Sequence, residues 1–187
     1  MTNSSVSPDD PADFLLDATG NLESDFKVPP PAIENEIYLR HRRWMMRAIA
    51  LADAAGKSGE VPIAAIVVGP NDEILAETAN RKERDHDPTA HAEVLALREA
   101  GNQLGSWHLT GCTLYVTLEP CMMCAGAIVQ SRLGLLVYGA DDTKAGAIRS
   151  VLNLPDGPCS NHRLSVFGGV LEATCRQQLQ QWFQQRR

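Results

Sequence analysis

The chain has 187 residues, 44% hydrophobic and 21% charged, the proportions of a soluble globular protein able to bury one sizeable core without disulfides. Its net charge of −6 is uneven: residues 1–36 hold eight acidic side chains against Lys27 alone, which leaves the rest of the chain at +1. That balance excludes a generally basic nucleic-acid-binding domain, so any contact with RNA has to be local.

No apolar run is long enough to span a bilayer, so no membrane association is expected. The start of the chain lacks a basic segment followed by an apolar one, and the five cysteines show no disulfide framework. A reducing cytoplasm is the expected location.

Taken in chain order, residues 1–35 are rich in Ser, Asp and Pro and include Pro29-Pro30-Pro31. Such a stretch cannot bury enough apolar surface to offset ordering, so a disordered tail is expected there. Residues 36–187 are expected to form the folded domain. Ile37, Trp44, Ala48, Leu51 and Ala55 make an apolar stripe that predicts a first helix, with Gly56 as its stop. Pro62 to Val68 reads as a buried strand, 69–72 as a turn, and Glu73 to Thr78 as the second strand of a hairpin. A polar loop, Asn80 to Thr89, leads into a helix from about Ala90 to Ala100 that Gly101 should end. Thr113 to Leu118 reads as a strand, Met122 to Ser131 as a helix and Leu135 to Tyr138 as a strand, a β-α-β unit that implies parallel pairing. Leu164 to Phe167 makes a fifth strand, and Leu171, Cys175, Leu179 and Trp182 recur at helical spacing. The expected fold class is α/β: a mixed five-stranded sheet with helices on both faces, in three α/β/α layers.

The strongest chemical signal is His91-Ala92-Glu93 followed by Pro120-Cys121-Met122-Met123-Cys124. One imidazole and two thiolates form a neutral cage for a zinc dication and leave the fourth coordination place open, as catalytic zinc requires. Both halves fall near predicted helix starts, where unpaired N–H groups and the helix dipole favour thiolate. Glu93 is poorly suited to ligate in a sulfur-rich site but well placed to move protons. His-x-Glu with Pro-Cys-x-x-Cys is the general signature of zinc-dependent base deaminases. A structural zinc site is the competing reading: His86, His108 or His162 would supply its fourth ligand, although only one Cys-x-x-Cys pair exists. Cys112, Cys159 and Cys175 read as packing or loop residues, and Glu119 as part of the turn before Cys121.

The segments Asn80-Arg81, His86 to Glu93, Thr113 to Ala127, Ser131-Arg132, Tyr138 to Ala147 and Asn161-His162-Arg163 resemble bacterial TadA-type tRNA adenosine deaminases, over roughly Trp44 to Phe183. The resemblance implies the cytidine-deaminase-like fold, a homodimer, and conversion of the wobble adenosine of a tRNA anticodon to inosine. It implies one zinc per subunit on His91, Cys121 and Cys124, Glu93 as the catalytic proton shuttle, and no organic cofactor. Asn80 would hydrogen-bond the purine, and Asp142 and Lys144 would lie beside neighbouring nucleotides of the anticodon loop. Two other functions remain open at this point: a deaminase of free guanine, cytosine or a nucleoside, and a non-catalytic zinc-bearing RNA-binding subunit, against which the presence of Glu93 speaks.

Overall fold

The apolar runs in the middle of the chain become neighbouring strands of one sheet in a computed structural model that describes residues 36–186. The tail expected over residues 1–35 lies outside the described residues. The strands are β1 (Ala64–Val68), β2 (Ile74–Ala79), β3 (Thr113–Leu118), β4 (Leu135–Ala140) and β5 (Ser165–Gly168), in the sheet order β2-β1-β3-β4-β5. β1 runs antiparallel to both β2 and β3, whereas β3 with β4 and β4 with β5 pair in parallel. The sheet is mixed, as expected. The helices are α1 (Glu36–Lys57), α2 (Lys82–Asp85), α3 (Ala92–Leu104), α4 (Met122–Gln130) and α5 (Glu172–Gln184).

Successive side chains of a strand point to opposite faces, and both faces of this sheet are covered. On one, Ala65, Val67, Leu114 and Leu136 pack with Ala96 and Leu97 of α3 and Ile128 of α4. On the other, Ile66, Val68, Tyr115 and Val137 pack with Trp44, Met45 and Ala48 of α1 and Cys175 of α5. These are the three α/β/α layers. A strand covered twice has no reason to alternate apolar with polar, which is why β1 reads Ala-Ala-Ile-Val-Val and is buried throughout. Burying each Val or Ile side chain there contributes about 1.5–3 kcal/mol relative to exposure.

Three expectations need correction. Ile37 does not join the buried stripe of α1; it is 62% exposed, and the face turned to the sheet runs through Trp44, Met45, Ala48 and Ala52. Gly101 does not end α3. The helix continues to Leu104 and stops at Gly105, whose φ of 63° closes it, its N–H meeting the Asn102 and Gly101 carbonyls. Gly101 answers a different need, because a Cβ there would come within 3.2 Å of the Ser106 carbonyl as the chain turns back. The loop from Asn80 to Thr89 is also not wholly irregular, since it holds the single-turn α2, closed by His86 in the left-handed region (φ 50°). Among the described residues no helix is long and apolar enough to cross a membrane.

Candidate metal centre

Two helix starts converge beside the end of β3. That strand stops at Leu118, and Glu119-Pro120 carry the chain to Cys121, whose extended backbone (φ −71°, ψ 174°) opens α4. His91 stands at the equivalent place on α3 (φ −74°, ψ 147°), one residue ahead of the helix rather than on it. The Cys-x-x-Cys step sets Sγ of Cys121 and Cys124 3.7 Å apart. His91 Nδ1 lies 3.7 Å from Cys121 Sγ and 3.5 Å from Cys124 Sγ. These residues form a donor set that could hold a metal ion.

The electrostatics suit a cation. Hydrogen bonds with Cys124 and His91 hold the Cys121 thiol far below its ordinary value, at about 3. His91 is raised above its ordinary value, chiefly by its hydrogen bond with Cys121. The negative sulfur is the form that binds metal.

Glu93 follows His91 by two positions and is only 4% exposed. Burial pushes its carboxyl above the usual carboxylate range, although its own backbone and the Cys124 thiol beside it pull the other way. A carboxyl so displaced exchanges protons nearer neutral pH than an exposed one does. The start of α3 is itself pinned to the sheet: Thr78 Oγ1 of β2 donates to the Ala92 carbonyl at 2.6 Å, between His91 and Glu93.

The remaining residues singled out in the sequence lie on two segments beside this centre. Asn80 follows β2 directly and is buried, 5% exposed. Its neighbour Arg81 donates its backbone N–H to the Ala90 carbonyl at 3.0 Å, which holds the end of β2 against the approach to His91. Asp142 and Lys144 belong to the turn after β4. Asp142 Oδ1 accepts from the backbone N–H groups of Lys144 (2.9 Å) and Ala145 (3.1 Å), so its carboxylate shapes the turn, while Lys144 is exposed. That turn is fastened to the cysteine segment by Ala147 N–H donating to the Pro120 carbonyl at 2.8 Å and by a bridge between Cys121 and Gly146.

Comparison with known proteins identifies the arrangement. The MafB19-like deaminase family matches residues 39–187. A tRNA-specific adenosine deaminase of Haemophilus influenzae is 48% identical over 144 residues, 76% of this chain and 83% of the relative. The chain belongs to the tRNA-specific adenosine deaminase family. A structure from a study of A-to-I editing by tRNA:A34 deaminases superposes with a TM-score of 0.70 at 39% identity, covering 73% of this chain and 99% of that one. The guanine deaminase of Nitrosomonas europaea is similar at greater distance, with a TM-score of 0.64 and 26% identity over 75% of this chain and 83% of its own. The mixed five-stranded sheet with its helices matches the cytidine-deaminase-like fold.

One buried residue next to Pro120-Cys121 was read in the sequence as no more than a turn residue. Glu119 is 2% exposed, and its carboxylate gathers the segment that carries Asp142 and Lys144. Oε1 accepts from the backbone N–H groups of Ile148 (3.1 Å), Arg149 (2.8 Å) and Ser150 (2.9 Å). Oε2 accepts from Asp142 N–H (3.0 Å) and from the Ser150 hydroxyl. The available signal was an acidic residue at the end of an apolar strand, directly ahead of Pro120-Cys121, where burial of the strand requires burial of the carboxylate as well.

Proposed function

We propose that this chain hydrolyses the wobble adenosine of a tRNA anticodon to inosine, with release of ammonia. The observation that carries the reading is the His91, Cys121 and Cys124 donor triangle with the buried Glu93 carboxyl beside it. The size of the triangle suits zinc. Bonds of about 2.3 Å to sulfur and about 2.0 Å to nitrogen at tetrahedral angles require donor separations of about 3.8 Å between sulfurs and about 3.5 Å from sulfur to nitrogen. The separations here are 3.7 Å between the sulfurs and 3.5 and 3.7 Å to the nitrogen.

His91, Cys121 and Cys124 would hold one zinc ion per subunit. When bound, zinc supplies Lewis acidity that lowers the pKa of water to about 7. Glu93 handles the protons: its carboxylate takes the one released by the attacking water, then returns protons to the purine ring nitrogen and to the departing amine. The C6–O bond forms, the C6–N bond breaks, and adenosine plus water become inosine plus ammonia. Asn80 hydrogen-bonds the base, and Asp142 and Lys144 meet the flanking nucleotides, a reading supported by the resemblance of their segments to the family. An anticodon loop presents its bases without a duplex to open, which makes extrusion into such a site inexpensive. On the same resemblance the working form is a cytoplasmic homodimer of the folded domain.

The test is an anticodon stem-loop with adenosine at the wobble position, followed for inosine, beside free guanine, cytosine and their nucleosides. Turnover of the stem-loop is expected. Turnover of free base alone would replace the proposal with the free-base reading. Glu93→Ala is expected to lose about 10²–10⁴-fold in rate while zinc stays bound, and unchanged activity would remove Glu93 from the chemistry.

A further inference from the structure

A third buried carboxylate, Glu60, is left unused by the chemistry above. It lies in the turn between α1 and β1, is 4% exposed, and reaches across to the end of β2. Glu60 Oε2 accepts from the side-chain amide nitrogen of Asn80 at 3.0 Å, and Oε1 accepts from the backbone N–H of Arg84 at 2.8 Å. Both partners belong to the segment that leads from β2 to His91.

The pairing decides the orientation of an amide. A terminal amide can rotate by half a turn and exchange its oxygen for its nitrogen at little cost in shape, which reverses the hydrogen-bonding pattern it offers. A carboxylate accepts and does not donate, so an Asn80 oxygen turned toward Glu60 would meet another acceptor in a buried place. Only the observed orientation is satisfied. Asn80 then keeps one free N–H and its Oδ1 in fixed positions, and a base is met by a donor and an acceptor whose places do not exchange. The Arg84 bond fixes the carboxylate in turn, so the constraint extends from the backbone of α2 through Glu60 to Asn80.

We propose that Glu60 is a positioning residue for the substrate base: it acts through Asn80, by holding the Asn80 amide in the one orientation that matches the purine. The proposal rests on the reading of Asn80 as a base contact. Glu60→Gln is the sharpest probe because it preserves shape and removes one acceptor. Its single oxygen can serve Arg84 or Asn80, and serving Arg84 turns an NH2 toward Asn80 and favours the reversed amide.

The experiment measures kcat and KM on the anticodon stem-loop for wild type, Glu60→Gln, Glu60→Asp, Asn80→Ala and the Glu60→Gln/Asn80→Ala double variant, with zinc content and urea midpoints for each. Glu60→Gln is expected to lower kcat/KM about 10-fold, mainly through KM, the amount one net hydrogen bond represents, with zinc retained. Glu60→Asp, which changes length but keeps two acceptor oxygens, is expected to retain more kcat/KM than Glu60→Gln. The double variant should be no worse than Asn80→Ala. Wild-type kinetics in Glu60→Gln, or a Glu60→Gln loss that persists undiminished in the Asn80→Ala background, would overturn the proposal. Wild-type kinetics in Asn80→Ala would instead show that Asn80 does not touch the base, a failure of the underlying reading. Should Glu60→Gln lose its fold by urea midpoint, the Glu60→Asp/Asn80→Ala double variant decides: a Glu60→Asp loss additive with that of Asn80→Ala overturns the proposal, and a non-additive one supports it.

Discussion

Glu119 and Gly146 exclude any side chain at position 146. A Cβ on Gly146 would stand 2.6 Å from the Asp142 carbonyl and closer still to the Glu119 carboxylate. That carboxylate cannot retreat, because Asp142, Ile148, Arg149 and Ser150 all donate to it. Gly146→Ala therefore has to displace either the carboxylate or the turn itself. A loss of about 1–3 kcal/mol is expected, the range for overpacking a filled site. Glu119→Gln should cost about 2–3 kcal/mol for a different reason, since one acceptor oxygen is replaced by an NH2 facing N–H donors. Urea denaturation of the two variants measures both. Stability equal to wild type in Gly146→Ala would show that the turn has room to yield.

Metal removal supplies a second prediction. His91 and Cys121 each lie at a helix start, and no covalent bond joins α3 to α4 around them. Chelation is expected to abolish deamination and to lower the thermal midpoint, because binding energy at a site that the unfolded chain lacks is folding energy. Added zinc should restore both. Cys124→Ala should resist restoration, since it removes a donor that lies 3.5 Å from His91 Nδ1 and 3.7 Å from Cys121 Sγ. Activity that survives exhaustive chelation, with metal analysis confirming its removal, would contradict this account.

What the sequence disclosed and what it withheld follow a physical division. The convergence of His91, Cys121 and Cys124 was legible because a metal-binding set restricts residue type and spacing so tightly that few other patterns serve. The strands were legible because double burial leaves β1 no polar position. The end of α3 was not legible: Gly101 and Gly105 are equivalent as letters, and only the backbone distinguishes the one with positive φ. Glu60 and Glu119 were missed for a related reason. A buried carboxylate is defined by donors distant in sequence, Asn80 and Arg84 for one and Asp142 to Ser150 for the other. Local sequence names none of those donors.

The tie between β2 and α3 gives a third prediction. Thr78 is 8% exposed, and its hydroxyl is bound to the Ala92 carbonyl at 2.6 Å. Thr78→Val keeps the volume and loses the donor, so the carbonyl is left without that partner in a buried place. A cost of about 1–2 kcal/mol is expected. Because Ala92 separates His91 from Glu93, kcat should fall as well while zinc content holds. Denaturation and kinetics on the same preparation test this, and a variant with lower stability but unaltered kcat would limit Thr78 to a role in folding.

His41 gives the fold a pH dependence of definite sign. It lies on α1, 7% exposed, with Nδ1 2.9 Å from the Tyr115 hydroxyl and its ring against Phe167. Burial lowers its pKa below 6.5, and the neighbouring Arg40 charge lowers it further. Burial also pushes the Tyr115 hydroxyl up to about 12, so the phenol keeps its proton beside the imidazole. In the unfolded chain His41 takes up a proton as the pH falls through about 6.5; in the folded chain it does so only at lower pH. The unfolded state thus binds more protons in that interval, and the stability present above pH 6.5 is lost as the pH falls toward the folded value. His41→Asn places an amide that does not titrate near the Tyr115 hydroxyl. Its stability at pH 8 should be somewhat lower than that of wild type, because a smaller side chain fills the site. Its decline from pH 8 to pH 5.5 should be shallower. Titrations elsewhere, those of the metal ligands included, are common to both proteins and cancel in the difference. Urea midpoints at the two pH values decide the matter, and parallel declines would mean that the proton responsible binds somewhere other than His41.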